Sequence, residues 1–91
     1  MQFQGAVVSK SGTVFAIVVV KDHVVQDAAK AQRAVALFQK FFGKTPVILM
    51  ALNEIGEPQW YGLPKLVQLV ETASLESVKW RRYDIPTRRA V

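Results

Sequence analysis

The chain has 91 residues, 51% of them apolar, with twelve Lys and Arg against seven Asp and Glu for a formal charge of +5, and no cysteine. That length fits one domain hiding only a little over ~60% of its unfolded surface, so a stability of roughly 5–13 kcal/mol must come from an apolar core. Without cysteine there are no disulfides, no CxxC redox chemistry, no thiolate nucleophile and no Cys-ligated zinc or iron–sulfur centre.

Residues 2–9 read as a strand, and Ser9-Lys10-Ser11-Gly12 carries the turn chemistry that doubles the chain back. The second strand, roughly 13–21, contains Val14-Phe15-Ala16-Ile17-Val18-Val19-Val20. Such an unbroken apolar run predicts a central strand with neither face wet. Lys10 ahead of the run resembles the start of a secretory signal, but Lys21 and Asp22 follow where a small-residue cleavage site belongs. The run is also well short of the ~20 apolar residues that span a membrane as a helix. The expectation is a soluble, cytoplasmic protein with no membrane association.

A helix is expected from about Asp27, a good N-cap whose carboxylate also suits the positive end of the helix dipole. Ala31, Ala34, Val35, Phe38, Phe41 and Phe42 then gather on one stripe. Gly43 offers a left-handed exit, and Thr45-Pro46 bars continuation. Residues 46–52, another continuous apolar run, predict a third strand, 53–58 a hairpin loop, and Gln59-Trp60-Tyr61 a short fourth strand. Gly62 breaks it, and Pro64 starts a helix through about Ala73 with Leu66, Val67, Leu69 and Val70 on its apolar face. Residues 79–85 mix charge and apolar side chains on both sides, which suits an edge strand, and Pro86 discourages further pairing.

The predicted order is ββαββαβ: an α/β fold, with α+β as the alternative, in which two helices accompany a mixed sheet of four or five strands. Residues 1–86 form the domain and 87–91 a flexible basic tail. Strand two, the first helix and strand three make a right-handed β-α-β unit, so those two strands run parallel. Both are apolar on two sides. Either the helices cover opposite faces, or a second subunit covers one of them and the protein is a homodimer.

The stretch from Thr45-Pro46 through Gly62, followed by a helix, resembles the C-terminal half of thioredoxin-fold proteins. In that fold a proline opens a strand, a polar turn leads to a second strand, and a glycine precedes the last helix. The redox cysteines have no counterpart and the N-terminal hairpin differs, so the resemblance implies no redox activity. The helix start Tyr61-Gly62-x-Pro64 with a later Trp80-x-Arg82-Tyr83 resembles small uncharacterised bacterial α/β proteins of similar length, which implies a bacterial origin and no function.

Basicity is concentrated at one end: residues 79–91 hold five cations and Asp84, a net +4, while residues 1–78 are net +1. Lys79, Arg81, Arg82, Arg88 and Arg89 interleave with Trp80 and Tyr83, the combination of phosphate-binding cations and stacking rings found in nucleic-acid grooves. The same residues also read as an edge strand anchored by its aromatics and kept from aggregating by its arginines.

His23, the single histidine, stands with Asp22 at the end of strand two, with Asp27 four residues on. Strand ends of this kind are where α/β folds place ligands, which makes it a candidate general base in a small enzyme. A hydrogen-bonded loop histidine is the plainer reading. Glu54 and Glu57 flank Gly56 and read as a solvated loop, or as a carboxylate pair for acid–base work or a hard cation. Gly62 and Lys65 at a helix start form a possible anion site. No cofactor fingerprint and no metal-ligand spacing is present. A non-enzymatic binding domain, self-associating or accessory to a larger partner, is the leading expectation.

Overall fold

The computed structural model describes residues 2–71 and 78–84. These form one five-stranded sheet with three helices, the mixed α/β architecture the sequence predicts. In chain order the elements are β1 (Gln2–Lys10), β2 (Thr13–Val19), α1 (Asp22–Gln26), α2 (Ala28–Phe42), β3 (Val47–Leu52), β4 (Pro58–Tyr61), α3 (Pro64–Glu71) and β5 (Arg81–Asp84). The sheet order is β4-β3-β2-β1-β5. β2 and β3 pair in parallel, with Ala16 beside Val47 and Val18 beside Leu49; the other three pairings are antiparallel.

Strand alternation sorts the apolar runs onto two faces. Ala16, Val18, Val47 and Leu49 meet Ala31 and Phe38 of α2, while Phe15, Ile17, Ile48 and Met50 meet Leu66 and Val70 of α3. The helices therefore cover opposite faces. Cover for the central ribbons is supplied within one chain, which meets the need that suggested a second subunit.

The expectation that water is kept off both ribbons throughout their length is corrected at their ends. Val14 is 48% exposed and Leu52 53% exposed. Val14 is the second residue of β2 and Leu52 closes β3, so each lies beyond the part of the sheet that the helices cover.

Local signals set the helix ends. Asp27 Oδ1 accepts from the Ala29 and Lys30 amides at 2.9 and 3.2 Å, satisfying two donors that the first turn leaves unpaired. At the other end Gly43, with φ 67°, donates its N–H to the Gln39 carbonyl. The short α1 is an addition to the predicted order; its Val24 and Val25 pack against the α2-side core. The fourth strand begins one residue early, at Pro58, and the edge strand begins two residues late, at Arg81, with Ile85 outside the described residues.

On the α2 face the centre of β1 is occupied by Gly5. A Cβ there would stand 2.7 Å from the Ile17 carbonyl oxygen, 3.5 Å from the Phe3 ring and 3.6 Å from the Tyr83 ring. The two rings stack at 5.2 Å with a 16° tilt, filling the space a side chain would take. Gly62 is constrained twice, by φ 153° and by Ile48, whose Cγ2 would lie 2.6 Å from an added Cβ.

Gly5→Ala should cost about 1–3 kcal/mol because the obstructing atom is backbone and cannot rotate away; urea unfolding checks this, and an unchanged midpoint would refute the close approach. Gly62→Ala should lose at least as much. Asp27→Ala should cost about 1 kcal/mol, with most of it restored in Asp27→Ser, as measured by thermal melting.

Candidate functional site

The basic strand β5 is an edge strand paired with β1, Arg81 opposite Gly5 and Tyr83 opposite Phe3. Period-two alternation divides its side chains between the faces. Arg81 and Tyr83 point to the α2 face, Trp80 and Arg82 to the α3 face. Tyr83 belongs to a five-ring cluster with Phe3, Phe38, Phe41 and Phe42: besides stacking on Phe3, it meets Phe41 and Phe42 edge-on at 5.7 and 5.5 Å. Trp80 packs against the other core. Both aromatic side chains thus face the domain's interior, and the two adjacent arginines cannot address one ligand surface together. Lys79, Arg81 and Arg82 are exposed. Arg88 and Arg89, with the predicted tail, lie outside the described residues.

His23 is exposed on α1. Its two candidate carboxylates are engaged elsewhere. Asp22 accepts from Gln26 Nε2 at 2.7 Å, and its second oxygen is shielded from solvent with no partner among the described residues. Asp27 caps α2. No hydrogen bond joins either to the imidazole among the described residues, so the three do not form a relay.

Glu54 and Glu57 sit on a loop closed by Asn53, whose Oδ1 accepts from the Ile55 and Glu57 amides at 3.1 and 2.9 Å. Their carboxylates are exposed. Among the described residues no group of three His, Cys, Asp or Glu is placed to hold a metal ion. Gly62 owes its place to Ile48, and Lys65 is exposed in the first turn of α3. Beside Gly62 a groove of about 480 Å³ opens between α2 and the start of β3, lined by Val35, Pro46, Val47 and Leu63. Gln39 on its wall spends its amide nitrogen on the Gly43 and Thr45 carbonyls, both at 2.7 Å.

Sequence reasoning missed a different surface. Where the β1–β2 hairpin extends past the end of α2's cover, Val7 is 52% exposed and Val14 48% exposed. Register places both on the α2 face, Val7 opposite Ala16 and Val14 opposite Ser9, hence diagonal neighbours. Phe41, 38% exposed, stands on the same face against Phe3 and Tyr83. Arg81, two positions from Tyr83 on that side, flanks the strip. The only warning in the sequence was that a Val-rich strand start lay next to a turn.

No family model, no curated protein and no solved structure matches the chain. No helix among the described residues is long and apolar enough to cross a membrane.

Because Tyr83 is structural, Tyr83→Ala should lower stability by about 2 kcal/mol, less than the ~3–5 kcal/mol of a fully buried aromatic. Arg81→Ala and Arg82→Ala should each stay within about 0.5 kcal/mol of the parent. Denaturant midpoints decide between this and a strand held by its charges.

Proposed function

We propose that the protein is a small non-enzymatic interaction domain that binds another protein through the uncovered face of the β1–β2 hairpin. The observation that carries this is the diagonal pair Val7 and Val14, each about half exposed in regular strand and left open by both helices. Scattered surface valines are ordinary, but diagonal neighbours on a rigid sheet support a docking surface. The chemistry-bearing residues support the same reading by their dispersal. His23, Asp22 and Asp27 share no bonded arrangement, and the cations of β5 diverge to opposite faces. The reading as a nucleic-acid groove along 79–84 draws no support from Trp80 and Tyr83, since their rings are committed to the two cores.

A photoreactive amino acid placed at position 14 should, on irradiation of growing cells, yield a discrete adduct with one protein. The same group at the exposed Gln68 of α3 should not. Absence of any adduct from position 14, or an identical set from both positions, would overturn the proposal.

A further inference from the structure

Resting on that reading of the hairpin face, we infer that its partner is an acidic protein segment carrying apolar side chains, seated across Val7 and Val14 with its carboxylates toward Arg81. The argument begins with the direction of the strands. β2, β3 and β5 all run the same way, because β1 is antiparallel to both β2 and β5 and β2 is parallel to β3. The end of the sheet where they begin carries Lys10 at the hairpin, Lys44 before β3, and Lys79 and Arg81 at the start of β5. Where they finish come Asp22 after β2, Glu54 and Glu57 after β3, and Asp84 closing β5. Asp27 opens α2 at that same far end, and Glu71 closes α3 on the other face. Lys21 and Arg82 accompany the acids, so the far end is mixed. On the α2 face of the near end the charged strand residue is Arg81, since alternation turns Lys10, opposite Thr13, to the α3 face; no acid among the described residues stands there.

Val7 and Val14 lie at this end, where the described strand charge on their face is the cation Arg81. An apolar strip bordered by Arg81 favours a ligand with both characters, since a wholly apolar partner gives that cation no counter-charge and a wholly polar one leaves the valines wet. A second copy docked on the same patch about a two-fold axis would face Arg81 with like charge. A nucleic acid would find methyl groups here in place of a free ring to stack on. An acidic, apolar-bearing segment satisfies both requirements at once.

The test titrates the ¹⁵N-labelled full chain with a peptide of about eight residues alternating glutamate and valine. Amide shifts should concentrate at Gly5, Val7, Ser9, Val14 and Arg81. Replacing the glutamates by glutamine, or Arg81→Ala in the protein, should weaken binding by about tenfold, as expected of a close charge pair at an interface. Val7→Ser with Val14→Ser should weaken it at least as much. Both residues are half exposed, and an unchanged melting temperature confirms that this variant folds.

Equal binding of the glutamate and glutamine peptides overturns the acidic assignment while leaving the docking surface standing if position 14 still crosslinks. Shifts elsewhere on the molecule, or no binding by the glutamate peptide, overturn it outright. Tighter binding at the same residues by an oligothymidylate of about twelve nucleotides, or by phosphatidylglycerol vesicles, would overturn it in favour of a polyanion or a lipid surface. Concentration-dependent growth of the protein alone, abolished by salt, would assign the surface to head-to-tail self-assembly.

Discussion

Two parallel strands with apolar side chains on both faces cannot rest against water on either side, and this constraint organises the molecule. The β2–β3 pair buries Phe15, Ile17, Ile48 and Leu49 completely. A parallel pair requires a crossover, and the crossover helix α2 covers one face. The second face needs a separate element, which α3 supplies after the β3–β4 hairpin has reversed the chain.

The same constraint explains where surface is left over. Helices of 15 and eight residues shield the middle of the sheet but not the full nine-residue length of β1. The hairpin therefore extends past its cover and presents Val7 and Val14. On the opposite flank β5 is fixed less by its own four residues than by Tyr83, whose ring ties it to Phe3 and to the last turn of α2. The interaction surface proposed above is thus the residue of an architectural mismatch between strand length and helix length.

The parts of the fold legible in the sequence are those that a single physical signal determines. The unbroken runs at 14–20 and 47–52 announced paired central strands, Asp27 and Gly43 marked the ends of α2, and Pro64 marked the start of α3. Helix α1 was illegible because one turn of Lys21-Asp22-His23-Val24-Val25 is too short to show a period. The placement of β5 beside β1 depends on the Phe3–Tyr83 stack over Gly5, a contact between strands far apart in sequence that no local pattern encodes. The candidate site was missed for a related reason. An apolar run predicts burial residue by residue, but whether Val14 is buried depends on how far a helix reaches, which is a property of the assembled layers. The basic cluster at 79–89 was conspicuous in one dimension, and strand alternation then split its described part between two faces.

The pairing of Gln2 with Asp84 joins the beginning of the chain to its last described strand. A contact of that span is among the slowest to form, because every element between β1 and β5 must be looped in before it contributes. During synthesis the outer edge of β1 stays open until β5 has left the ribosome, although β1 and β2 have long since been able to zip together. Newborn chains are consequently most vulnerable to strand exchange at that edge until β5, with its arginines, closes it.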